Sequence, residues 1–180
     1  MKKIITSLLM ASILLISSVA MAAYNETVVE GADIGSIKKI AIALPMHYKV
    51  EDAEPTLEEL TKIVFEASKR TRFIVVSYDE IVQNIKNDTG VDITTLTENE
   101  LRKVYAENIS KYADAYITMT SANNNDRVIF FFDVQNAADS EPMYQLQTQD
   151  RRFTKDTAGY TKACEDFFKK FDAAVQKALK

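Results

Sequence analysis

With one cysteine, Cys164, the chain cannot close an intramolecular disulfide even in an oxidising compartment, so packing has to hold its fold. The single histidine, His47, is the only residue that any Ser-His-Asp or Cys-His catalytic arrangement could use. Four glycines in 180 residues, with Gly90 and Gly159 isolated, leave no glycine-rich loop to cradle a phosphate. Positive charge is in deficit as well. The chain carries 22 Lys and Arg against 26 Asp and Glu, a formal charge of −4, and lacks the clustered basic surface that nucleic acid requires. His47, Cys164 and the carboxylates never fall at short ligand spacings, so no metal and no cofactor is expected.

What is present begins with an export address. Lys2 and Lys3 precede an apolar run from Ile4 through Val19, and Ala20-Met21-Ala22 supplies the small-x-small pattern that a signal peptidase reads. Residues 1–22 therefore read as a signal peptide of bacterial type, and the mature chain is expected to begin at Ala23 or Tyr24. Thr6, Ser7, Ser12, Ser17 and Ser18 interrupt the run and argue against a retained membrane span. No cysteine follows the run, so a lipid anchor is not expected. The destination implied is the periplasm or the outside of the cell.

Residues 23–36 show no sustained period and read as an extended lead-in to a single α/β domain over 37–180. Lys38 to Leu44 has the pattern of a buried strand ending at Pro45. Thr56 and Glu59 form a capping box that opens a helix over 56–70 with Leu57, Leu60, Ile63, Val64 and Ala67 on one face. Arg72 to Ser77 is β-branched and apolar, the pattern of a strand covered on both faces and paired parallel to the first. Ser77 with Glu80 and Thr97 with Glu100 repeat the capping box and open two more helices. From Ala115 the period becomes two, giving three strands at 116–120, 128–134 and 143–148. A last helix over 156–179 carries Tyr160, Cys164, Phe167, Phe168 and Phe171 on one side. The order βαβααβββα implies a single mixed sheet with helices on both faces.

Candidate site residues are few. His47 and Tyr48 stand in the stretch after the first strand, and Tyr78 and Asp79 in the turn after the second. Loops at the carboxyl ends of parallel strands are where open α/β sheets bind ligands, so the four could share one edge. The bland alternative is an ordinary surface histidine in a solvated loop. Phe130-Phe131-Phe132 places Phe131 opposite its neighbours, toward either a second helical layer or a partner. The paired carboxylates near 51–54, 58–59 and 79–80 sit at helix starts, where they complement the helix dipole.

Lys38 to Pro45, an amphipathic helix, Phe73 to Ile81 and the Tyr112-Ala113-Asp114-Ala115-Tyr116-Ile117 segment together resemble a bacterial envelope superfamily. Its members include LpoB, a penicillin-binding-protein activator, CsgG and the amino-terminal domain of TolB. The resemblance covers about 37–179 and implies a non-catalytic domain that works by touching another envelope protein or itself. Two features depart from it. The chain has no lipid-acceptor cysteine, and the turns at Asn123 and Ala137 are too short for the membrane hairpins of CsgG. Two readings result: an accessory interaction domain, and a small-molecule binder or hydrolase built around His47.

Overall fold

The computed structural model describes residues 23–49, 54–124, 127–149 and 153–180. The expected leader, Glu51 to Ala53 and the tip of the turn at Asn125-Asp126 lie outside them. Seven strands form one mixed sheet: β1 (Ala23–Val28), β2 (Lys39–Ile42), β3 (Met46–Tyr48), β4 (Ile74–Val76), β5 (Ala115–Asn124), β6 (Arg127–Asn136) and β7 (Pro142–Gln149). Four helices pack on it: α1 (Leu57–Ser68), α2 (Tyr78–Thr89), α3 (Glu98–Asn108) and α4 (Thr157–Ala178). The order across the sheet is β1-β7-β6-β5-β2-β4, with β3 continuing beside β5. β2 runs parallel to β4 and β5, while β5, β6, β7 and β1 are antiparallel neighbours.

The α/β class and single mixed sheet are as expected, with two strands added. The lead-in pairs as an edge strand, Tyr24 opposite Thr148 and Val28 opposite Tyr144. Its exposed face holds Asn25 and Thr27, and Glu26 sits among its inward positions, which hides the period. Pro45 ends β2, but the chain resumes hydrogen bonding three residues further along β5 as β3, so His47 is in a strand and not in a loop. A third difference concerns residues 72–77. β4 is a short edge strand with Ile74 65% exposed, because nothing pairs beyond it. Its two faces are both packed all the same, Val75 against the core under α1 and α4 and Val76 against the one under α2 and α3, and Ile74 is the exception.

Local signals set the helix starts. Glu59 N donates to Thr56 Oγ1 at 3.2 Å while Thr56 N donates to the Glu59 carboxylate at 2.8 Å, closing the first capping box. Glu80 N donates to Ser77 Oγ at 3.2 Å, and Thr97 N donates to Glu100 at 3.1 Å. Gly90, with φ of 74°, ends α2 in the left-handed conformation that glycine adopts without a Cβ clash.

The larger core lies between the sheet and α1 with α4. Phe132 stacks on Phe167 with ring centroids 4.3 Å apart, and Phe171 packs against Phe73 and Tyr144. Each such fully buried aromatic side chain contributes about 1.5–3 kcal/mol. The second core is smaller: Ile81, Ile85, Leu101 and Tyr105 cover Ala41, Val76 and Tyr116. α2 and α3 therefore roof only β2, β4 and the start of β5. Among the described residues no helix covers the same side of β6, β7 and β1, and this asymmetry determines where a site can be.

Candidate functional site

Two surfaces and one buried cluster emerge from that asymmetry. Register settles the first question, which way each residue of β3 faces. Met46 pairs with Thr120, His47 with Ser121 and Tyr48 with Ala122. Ser121 and its neighbour Phe130 face the α4 core, so His47 turns inward, while Met46 and Tyr48 turn to the opposite side. One-residue alternation separates the two residues that the sequence groups together.

The His47 side chain is 4% exposed. Its Nδ1 shares a 2.7 Å hydrogen bond with Ser121 Oγ, and the Tyr160 ring meets its edge with centroids 5.5 Å apart. Nε2 stands 3.9 Å from Glu54 Oε2, beyond hydrogen-bonding distance. Glu54 in turn accepts from Asn123 Nδ2 at 2.8 Å and from the Tyr160 hydroxyl at 2.9 Å. Burial holds the His47 imidazole below its ordinary pKa, opposed by the Glu54 charge. Burial, then the Glu54 contact, raises the Tyr160 hydroxyl. Glu54 is thus the hub of a buried polar cluster and not a helix-dipole carboxylate. Sequence reasoning missed Glu54, Ser121, Asn123 and Tyr160 because they come from three separate segments, the approach to α1, β5 and α4. The available signal was Met46-His47-Tyr48 itself, which continues a period of two past Pro45.

Tyr48 is 63% exposed and Leu57 40% exposed. With Met46, Leu96, Leu101 and Arg102 they frame a groove of about 530 Å³. His47 belongs to its wall, but the imidazole is engaged on the other side of the sheet. Arg102 stiffens the floor: Nη1 donates to Leu44 O at 3.0 Å, while Nε and Nη2 reach Glu98 at 3.1 and 2.9 Å. A second cavity of about 280 Å³ adjoins it between α3 and the sheet, with Tyr105, Tyr116 and Asp133 in its lining.

Tyr78 is buried against Tyr105, ring centroids 6.1 Å apart, and burial raises its hydroxyl pKa. Asp79 is exposed in the first turn of α2. Neither belongs to the groove lining given above, so the structure brings Tyr48 to the groove and leaves the Tyr78-Asp79 turn in the α2 layer. Phe131 is 37% exposed on the bare side of the sheet, in a row with Asn25, Gln147 and Thr120. Flanking it are Gln149, Ile129 and Ala122 on one side and Thr27, Gln145, Asp133 and Thr118 on the other. No second helical layer reaches Phe131, because α2 and α3 end over β5.

Among the described residues no three His, Cys, Asp or Glu side chains stand together as metal ligands, and no helix is long and apolar enough to cross a membrane. No family model and no curated protein matches the chain. Solved structures do. PelC from Paraburkholderia phytofirmans, crystallised as a dodecamer, matches over 84% of this chain and 98% of its own, with a TM-score of 0.50 and 8% identity. The C-terminal domain of LpoB from Escherichia coli matches over 62% and 81%, with a TM-score of 0.47 and 12% identity. Lipoprotein GNA1162 from Neisseria meningitidis matches over 63% and 79%, with a TM-score of 0.43 and 13% identity. LpoB, expected from the sequence, is thus among the similar structures, and at these identities the likeness is one of fold.

Proposed function

We propose that this chain is an exported, non-catalytic accessory domain of the bacterial cell envelope, which holds another envelope protein in the groove framed by Tyr48, Leu57 and Leu96. The observation that carries this reading is the pair of large apolar side chains, Tyr48 at 63% and Leu57 at 40% exposure, on the rim of a 530 Å³ groove with a braced floor. Exposed aromatic and aliphatic anchors beside a concavity are what protein partners fill. Self-association through the same groove is the other form of the proposal, and the dodecamer formed by PelC, of similar fold, supports considering it. The small-molecule or hydrolase reading loses its central residue, because the His47 imidazole faces the α4 core.

Tyr48→Asp combined with Leu57→Asp tests the proposal. Both positions are exposed, and an acid at the first residue of α1 complements its dipole, so the fold is expected to persist. Native-gel mass of the protein in gently extracted envelopes should fall to that of the free chain. An unchanged high-mass species would refute the groove as the contact, and sedimentation of the pure protein separates self-association from a foreign partner.

A further inference from the structure

The cavity of about 280 Å³ between α3 and the sheet is lined by polar groups that the fold leaves unspent. Tyr116 pairs with Gln135 and Thr118 with Asp133 across β5 and β6, so the four side chains form one patch, roughly 5 Å apart across the strands and about 7 Å along them. Among the described residues the Tyr116 and Thr118 hydroxyls and the Gln135 amide make no hydrogen bond. Tyr116 is 5% exposed, so its hydroxyl opens on the cavity and not on bulk water. Asp133 Oδ1 accepts from Gln145 Nε2 at 2.8 Å, and among the described residues Oδ2 is unengaged. The Tyr105 hydroxyl differs, being spent on Ile42 O at 2.9 Å. Leu44, Met46, Leu101 and Ala106 make the rest of the wall apolar.

We infer that this cavity binds a primary alkylammonium group, its nitrogen on Asp133 and its apolar stem along Leu44, Met46 and Leu101. Charge sets the sign of the ligand. The charged side chains of the lining are Asp133 and Arg102, and Arg102 is neutralised in place: it makes two hydrogen bonds to Glu98, at 2.9 and 3.1 Å, and two more to the Leu44 and Pro45 carbonyls. An anion would find the guanidinium spent, whereas a cation finds a free carboxylate oxygen away from bulk water. Arg127, at the far end of β6, lies six residues and roughly 20 Å along the strand from Asp133, more than a Debye length away. An ammonium has three donors and no acceptor, which matches a patch whose carboxylate, two hydroxyls and amide carbonyl can all accept. The volume is at the small end of ligand clefts and suits one side chain or a small amine. A free alkyl amine and the lysine side chain of a segment lying in the adjoining groove share this chemistry. The inference does not rest on the groove reading, because a free amine enters without a partner.

The test is a titration of the isotope-labelled exported chain at pH 7 with n-pentylamine, followed by backbone amide shifts. Saturable shifts centred on Tyr116, Thr118, Asp133 and Gln135 are expected at millimolar amine. Asp133→Asn should weaken binding by about tenfold or more, as the loss of a charge-assisted hydrogen bond does. Thr118→Val, which keeps the shape of the strand side chain, should weaken it severalfold and keeps the test valid if Asp133→Asn loosens the sheet. Pentanol has the same stem without the charge and should bind at least about tenfold more weakly. Absence of shifts, shifts centred elsewhere, or Asp133→Asn and Thr118→Val both binding as the parent does overturns the inference. An equal response to pentanol overturns the ammonium assignment. Nα-acetyl-lysine methylamide separates the sources: tighter binding than pentylamine supports a lysine side chain, weaker binding a free amine. The groove variant Tyr48→Asp with Leu57→Asp should keep amine binding, so failure of this site and failure of the groove are read separately.

Discussion

Replacing His47 by alanine tests the reversal that the structure imposes on this residue. A histidine in a solvated loop would be dispensable; this one fills space between β5 and α4. Its removal strands the buried Ser121 hydroxyl, at a cost of about 1–3 kcal/mol. It also removes an edge-to-face ring contact with Tyr160, worth about 0.5–1.5 kcal/mol. A loss of roughly 2–4 kcal/mol corresponds, for a domain of this size, to a fall in Tm of about 4–16 °C. The pH dependence adds a second readout. Burial holds the imidazole below 6.5 in the native state, so below that pH the unfolded chain takes up a proton that the folded chain refuses. The stability derived from the neutral ring is complete above pH 6.5 and drains away as pH falls from there through the lower native value. Glu54 works against this shift and Lys49 with it. Urea unfolding at pH 7.5 and 5.5 should therefore show the parent losing stability on acidification more steeply than His47→Gln, which can bond Ser121 but cannot titrate. Equal melting temperatures for parent and His47→Ala, or parallel pH profiles for parent and His47→Gln, would refute the buried-cluster account.

Phe167→Ala should cost about 3–5 kcal/mol by chemical denaturation, because the ring is fully buried and stacked on Phe132; an unchanged midpoint would mean that α4 does not pack as described. Gly159→Ala should destabilise despite being a helix-favouring change, because a Cβ there would collide with the Thr154 backbone that leads into α4; a higher Tm would contradict that contact. Cys164 is fully buried, and burial raises its thiol pKa far above the ordinary range, so a thiol reagent should modify it only after denaturation.

How much of this was legible follows the physical range of each signal. Capping boxes and periodicities are local, and Thr56, Ser77 and Thr97 all start helices within a residue of where they are read. The meander is legible too, down to Gln145, Gln147 and Gln149 alternating with Leu146 and Thr148. Coverage is not local. Ile74 has the same composition as a central-strand residue, and its exposure is fixed only by β4 ending the sheet. Likewise Phe131 differs from Phe130 and Phe132 by parity, which the sequence shows, but the lack of a roof over it depends on how far α2 and α3 extend. The site suffers most from this limit. His47 and Tyr48 are adjacent in sequence and opposite in space, whereas His47 and Tyr160 lie 113 positions apart and touch.

The buried cluster invites one catalytic reading, and its refutation is the sharpest available. Ser121, His47 and Glu54 are the residue types of an acyl-transfer triad, with Ser121 Oγ 2.7 Å from the imidazole. The third member is misplaced: Glu54 stands 3.9 Å from Nε2 and takes its short hydrogen bonds from Asn123 and Tyr160, so it does not orient the imidazole. A nucleophile must also be reachable by a carbonyl carbon with open space on the far side. Ser121 is fully buried, in the middle of the β5 ladder between β3 and Phe130, and a substrate could reach its Oγ only by stripping β3 from the sheet. A fluorophosphonate probe at pH 8 should therefore leave Ser121 of the native protein unlabelled, and Ser121→Ala should alter melting temperature without altering any ester-hydrolysis rate. Stoichiometric labelling at Ser121 of the folded chain would return the hydrolase reading to first place and remove the non-catalytic one.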